Sequence, residues 1–295
     1  MEDSITYGGQ AVLEGVMIRG QRHVSTSVRR PDGSIAYQTR KINLLFVGSL
    51  KKLPLMRGLL VLAETLVLGF RSLSFSANVG AEAEGEELSK ASMIVMMLIS
   101  LSFGIGLFFL TPVFISEGIR LLIESDIVSN LIEGLIRLAF LVGYIYLIGK
   151  IGDIRRVFMY HGAEHMTVHA QEHGDPLDIH NIRKYSTAHP RCGTAFLLTV
   201  VLVSIVVFVF IPRDPLWWLI FSRILLIPVI AAISYEIIRY SGFHSDSTIV
   251  KLLTRPNLTL QKLTTRQPND DQIEIAIHAM RGVIAADNDN IFQSE

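Results

Sequence analysis

The chain has 295 residues, 50% of them apolar, and a mean hydropathy of +0.42, too hydrophobic for an ordinary soluble protein of this size. Its formal net charge is zero and its pI about 7.1, so nucleic acid finds no electrostatic hold on it. The single cysteine, Cys192, excludes an internal disulfide framework and leaves one thiol for ligation or nucleophilic chemistry.

Residues 1–42 lack the apolar core of a cleavable signal peptide and carry Arg19, Arg22, Arg29, Arg30, Arg40 and Lys41. Within them Tyr7–Gly20 is glycine-rich and suits a strand. His23–Arg29 alternates and is rich in β-branched residues, Pro31–Ser34 reads as a turn, and Ile35–Arg40 answers it as the second strand of a hairpin. A two-stranded hairpin is marginal alone, so further strands or a docked helix are expected.

Residues 53–79 are apolar but hold Arg57, Glu64 and Arg71 at intervals of seven, which puts three charges on one helical face. An amphipathic or re-entrant helix fits this better than a span. Four segments are long and apolar enough to cross a bilayer: 91–116, 129–151, 193–212 and 215–238. Lysine and arginine concentrate before residue 58, between 150 and 192 and after 239, which places both termini and the middle loop in the cytoplasm. Beyond the last span, Ser241–Thr254 reads as a short helix and 258–265 as a connector. Asp270–Ile284 forms an amphipathic helix with Ile273, Ile277, Met280 and Ile284 on one stripe, and 285–295 is a polar, disordered tail.

The expected fold is therefore mainly α, a polytopic membrane helix bundle of about four spans plus an amphipathic or re-entrant helix. A small cytoplasmic α+β module, containing the N-terminal β-hairpin, is built from both ends of the chain. The segments are 1–52 (β-rich), 53–79 (amphipathic or re-entrant helix), 80–242 (bundle with a histidine-rich loop at 152–192), 243–284 (C-terminal helices) and the tail 285–295.

Six of the nine histidines lie between residues 161 and 192. His161-Gly-Ala-Glu-His165 has the order H-x-x-E-H, the inverse of the familiar zinc-protease helix. On a helix His161 and His165 share a face, as a pair of metal ligands requires, and Glu164 beside them suits a general base. His169 and His173 extend the row and read as surface histidines. In His189-Pro-Arg-Cys-Gly193, Pro190 suits the first residue of the next span, with His189 at its N-cap and Cys192 in its first turn, where the helix dipole and Arg191 favour a thiolate. Glu236, flanked by apolar residues at the cytoplasmic end of the last span, calls for a partner at that depth. Three separated segments thus deliver ligand-type side chains to one membrane face. His161, His165 and Glu236 are the expected ligands of a divalent metal, zinc above others, and His189 and Cys192 are alternative or supporting ligands.

At these residues the chain resembles the YqhQ-like family of bacterial multi-pass membrane proteins, of unknown function and regarded as metal-dependent enzymes. The resemblance rests on Gly8–Arg19, Tyr160–His165, His189–Thr194, Leu226–Glu236 and Leu263–Pro268, and runs over nearly the whole chain. It implies a bacterial cytoplasmic membrane location and a metal-dependent activity. It also raises Gln10, Glu14 and Arg19, in a segment long enough to cover the centre as a lid. The reading is a metal-dependent hydrolase at the cytoplasmic membrane face, with Glu164 as general base and Arg191 or Arg19 stabilising an oxyanion. Its partners are the lipid bilayer and a peptide, lipid or other amphiphilic substrate. The alternatives are a small-solute transporter or channel lined by Glu133, Arg137, Arg223 and Glu236, and a non-catalytic assembly factor with a structural metal.

Overall fold

The computed structural model describes residues 7–42, 53–83, 85, 88–120, 122–123, 125–190, 192–244 and 247–289. Strands β1 (Gly8–Val12), β2 (Gly15–Arg19), β3 (His23–Arg29) and β4 (Ile35–Lys41) pair antiparallel in sequence order. The hairpin expected at 23–41 is present. Its turn carries Gly33 at φ +86°, and the Asp32 carboxylate accepts the Ser34 N–H at 2.9 Å. The segment 7–20 supplies two strands rather than one, because Leu13-Glu14 reverses the chain with Glu14 at φ 50°. A meander of this size can bury both faces, and it does.

Side chains alternate across the sheet. Ile18, Val16, Ser25 and Ser27 face α5 (Gly152–His173) and α11 (Asp270–Asp289). Met17, Val24, Thr26 and Val28 face α1 (Met56–Ala83), which lays Glu64, Leu68, Ser72, Ser76 and Val79 along the sheet. The opposite side of α1 leaves Leu66, Val67 and Leu73 exposed. The module expected from both chain ends is thus assembled around α5, with Tyr160, Ala163, Met166, Ile273, Ala276 and Met280 in its core.

The remaining helices form the apolar bundle. Helix α2 (Lys90–Ile105), a π-helical turn (Gly106–Leu110) and α3 (Thr111–Arg120) make one 31-residue rod. Then come α4 (Asp126–Ile148), α7 (Gly193–Val209), and α8 (Leu216–Leu225) with α9 (Ile227–Phe243), a pair bent by 42°, whereas the short α6 (Ile179–Ile182) packs in the module against α5 and α11. Among the described residues three helices are long and apolar enough to cross a membrane, or up to four if the bent pair is one span. One of the three is α1. At the end of α4 remote from α5, Glu133 is buried among Arg137, Arg213 and Arg223, at 2.7, 3.0 and 2.8 Å. These guanidiniums are further held by Asn130, Ser116, Ser204 and the Phe108 carbonyl. A buried charge is tolerated only when paired in this way.

Three expectations are corrected. The connector at 258–265 is helical through Thr264, since α10 runs from Thr248 to Thr264 and carries Pro256 inside it. The tail begins later than 285, because α11 continues to Asp289. Asp287 is drawn in as an acceptor for the Gln21 and Arg22 N–H groups at 2.7 and 3.1 Å, and residues 290–295 lie outside the described residues. Helix α7 starts at Gly193 rather than Pro190, so its N-cap is Cys192, not His189, with the thiol accepting the Thr194 N–H.

Candidate metal centre

Helix α5 follows α4 after three residues and leaves the bundle for the module, so its first turns sit where the two meet. His161, Glu164 and His165 lie on the side of α5 facing the chain between Thr187 and Cys192 and the end of α10. Gly162 lets that last segment approach: a Cβ there would collide with the Arg266 carbonyl, and the Arg266 N–H donates to the Phe158 carbonyl at 2.9 Å.

Two backbone carbonyls set the imidazoles. His161 Nδ1 is 2.9 Å from the Thr264 oxygen, and His165 Nδ1 is 2.7 Å from the Thr187 oxygen. A carbonyl only accepts, so both Nδ1 atoms carry the proton, and in the neutral rings both Nε2 atoms present lone pairs. His161 Nε2 lies 3.2 Å from Cys192 Sγ, and the ligand atoms of His161, His165 and Cys192 all fall within 4.8 Å of one another. A tetrahedral zinc, with bonds of about 2.0–2.3 Å, needs ligand atoms about 3.3–3.7 Å apart. The donor set, two imidazoles and a thiol oriented from behind by carbonyls, suits zinc. Burial pushes the His165 pKa down, which keeps that ring neutral.

Glu164 is 3% exposed and its Oε2 lies 3.4 Å from His165 Nε2. Burial raises its carboxyl pKa, opposed by the nearby His161 and His189 rings and by the Gly9 N–H, which donates to it. Strand β1 therefore lies over Glu164 through Gly9. The covering depends on glycine, because a Cβ at Gly9 would meet the Met17 carbonyl and Glu164 Cγ.

Of the other expected site residues, Glu236, Arg19, Glu14 and Gln10 are turned to other partners. Glu236 is not with the histidines: Arg57 binds its carboxylate, with Nε at 2.6 Å, and the Leu55 N–H joins at 3.1 Å. The guanidinium at the start of α1 meets the need for a partner that the sequence assigned to a metal. Arg19 points away as well. It lies one residue from Ile18, hence on the opposite sheet face, where Glu64 takes it at 2.7 Å. Glu14 is held by Arg156 Nε at 2.7 Å and Tyr160 at 3.2 Å, and Gln10 lies against Gly69 of α1. Arg191 lies outside the described residues. His189 is brought close, its ring 5.7 Å from that of His165, with its backbone clamped by Gln261 on both sides. Gln261, Thr187 and Thr264 escape sequence reasoning, since nothing local marks a backbone carbonyl or an amide that serves a remote residue.

The profile of a family described as "Protein of unknown function (DUF1385)" matches residues 53–286. "Uncharacterized protein YqhQ" of Bacillus subtilis (strain 168) is 36% identical over 297 residues, covering 94% of this chain and 92% of that protein. No solved structure matches.

Proposed function

The chain belongs to the DUF1385 family of proteins of unknown function, and we propose that it is a metal-dependent hydrolase of the bacterial cytoplasmic membrane. The observation that carries this reading is the convergence of His161 Nε2, His165 and Cys192 Sγ, with both histidine Nδ1 atoms held by backbone carbonyls. Three protein donors are the number that catalytic zinc sites use, whereas structural ones take four. A zinc ion held there would supply Lewis acidity toward a carbonyl or phosphoryl oxygen and make water acidic at neutral pH.

Glu164 does the proton work. Its raised pKa suits a group that takes a proton from the attacking water and returns it to the leaving group. Burial under β1 keeps bulk water from levelling that pKa, and the Gly9 N–H orients the carboxylate. The centre sits where the module meets the apolar bundle, which favours a substrate with an apolar part: a peptide, a lipid or another amphiphile. The location reading rests on the apolar helices and on the basic residues of the module side.

Metal analysis of purified, detergent-solubilised protein tests this. The His161–His165–Cys192 centre should contribute one zinc per chain that His161→Ala plus His165→Ala lacks, and the reading fails if the double variant holds as much zinc as wild type. Glu164→Gln should retain that zinc and lose about 10²–10⁴-fold of any ester, amide or phosphoester hydrolysis found by screening. Full hydrolysis by Glu164→Gln would remove its role as base. The transport alternative finds less support, because three guanidiniums and their hydrogen-bond partners already occupy Glu133.

A further inference from the structure

The row of imidazoles on α5 does not stop at His165. His161, His165, His169 and His173 recur every four residues and so share one stripe of the helix. His189, arriving from the loop before α7, lies over that stripe. Its ring centroid is 4.4 Å from that of His169 and 5.7 Å from that of His165. Glu172, on the same face as His169, places Oε2 3.4 Å from His189 Nε2. The ligand atoms of His169, Glu172 and His189 all lie within 4.8 Å of one another.

The parts of this cluster are held as ligands are held. The Ala188 carbonyl accepts from His169 Nε2 at 3.0 Å, so that nitrogen carries the proton and Nδ1 keeps a lone pair in the neutral ring. Gln261 accepts from the His189 N–H and donates to its carbonyl, at 3.0 and 2.9 Å, which fixes the loop that presents the ring. Tyr185 stacks on His169 at 5.8 Å and 10°, and its hydroxyl is anchored to Asp175 at 2.8 Å. A carbonyl and an aromatic ring support the His169 ring and an amide fixes the backbone of His189, supports of the kind that orient metal-binding histidines.

We infer that His169, Glu172 and His189 form a second divalent-cation site, adjacent to the His161–His165–Cys192 centre and separate from it. Its donors are two nitrogens and an oxygen with no sulfur, a set that takes zinc and also accepts harder first-row ions such as manganese. Glu172 keeps 23% of its side chain exposed while Cys192 is buried, so the second ion is the more readily exchanged. The inference does not depend on hydrolysis, since a metal held here counts whether or not the first centre turns over a substrate.

Cobalt(II) titration of the metal-free, full-length protein in detergent distinguishes the two sites. Wild type should bind two equivalents, of which one brings a thiolate-to-cobalt charge-transfer band in the near ultraviolet. His169→Ala plus Glu172→Gln should bind one equivalent with that band intact. Cys192→Ser should lose the band and still bind an equivalent that the further change His169→Ala removes. Glu172→Gln alone, a change at a partly exposed position, should weaken the band-free equivalent by about 10-fold or more. The inference is overturned if wild type binds no band-free equivalent, or if that equivalent survives in His169→Ala plus Glu172→Gln. Loss of the band-bearing equivalent alone overturns the first centre and leaves the second standing.

Discussion

Glu14 shows how a single residue of the N-terminal sheet is tied to the helix that carries the centre. It turns the chain between β1 and β2 at positive φ, a conformation that costs a non-glycine residue about 1–2 kcal/mol. Its carboxylate is held by Arg156 and Tyr160, one helical turn apart on α5. The Arg156 hydrogen bond holds the Glu14 carboxyl below its ordinary pKa, against the opposing effect of burial. With the folded pKa lower than the unfolded one, the contribution is present above about pH 4.3 and is lost as the pH falls through the folded value. Both side chains are 41–51% exposed, so screening keeps the contribution below about 1 kcal/mol. Glu14→Gln should therefore melt slightly lower than wild type at pH 7, and the difference should be smaller in acid, once the pH has fallen through the lowered folded pKa. Melting curves of both proteins at pH 7 and in acid check this, and an unchanged gap in acid removes the charge as its source.

At the scale of elements, α11 depends on its last turns. Its apolar stripe buries Ile273, Ile277 and Met280, as the sequence pattern implies, and adds Val283, whereas Ile284 is only partly buried. The extension to Asp289 is not visible there, because the local composition is polar. It exists because Asp287 accepts from the Gln21 and Arg22 N–H groups and contacts His23 Nδ1 at 2.8 Å, closing the β2–β3 turn from 265 residues away. Gly20 leaves the room for this, since a Cβ there would collide with the carboxylate. Asp287→Ala leaves two backbone donors without this acceptor, and a loss of about 1–3 kcal/mol is expected in thermal or denaturant unfolding. A loss of a few tenths would show that water replaces the carboxylate and that the last turns of α11 do not hold the turn. Helix α7 gives the same lesson at its start. Proline suggested an entry at 190, whereas the thiol of Cys192 caps the helix at 193 and faces His161.

For the whole molecule, packing constrains topology through parity. The sheet precedes α1, and α5 follows α4, yet the sheet and α5 pack together and lie on one side. Three long apolar helices, α1, the Lys90–Arg120 rod and α4, stand between them, and only an even number of crossings brings a chain back. Helix α1 lies along the sheet through Glu64, Leu68, Ser72 and Ser76. In the membrane reading proposed above, α1 is the one expected to lie along the surface, with its exposed Leu66 and Leu73 available to lipid. On that reading, the rod, α4, the shorter α7 and the bent α8–α9 pair are the expected crossings. Single cysteines at Tyr37, Glu274 and Leu122, labelled in intact cells with a membrane-impermeant maleimide, test the arrangement. Leu122→Cys, between the rod and α4, should react from outside, and Tyr37→Cys and Glu274→Cys only after lysis. Labelling of Tyr37→Cys in intact cells would place α1 across the membrane and overturn it.

The residue pattern by itself determined what is local. The 23–41 hairpin, the apolar segments, the amphipathic stripe of α11 and the shared face of His161 and His165 follow from periods of two and of 3.6 residues, and these are written in the order of side chains. Tertiary structure alone decided which remote groups meet. Glu236 and Cys192 were both credible third ligands, and only packing put Arg57 beside the first and His161 beside the second. Arg19 looked like a site residue until strand register turned it to the α1 face. His169 looked like a surface histidine until the 187–192 loop laid His189 over it. Such pairings depend on where backbones cross in space, and sequence distance carries no record of that.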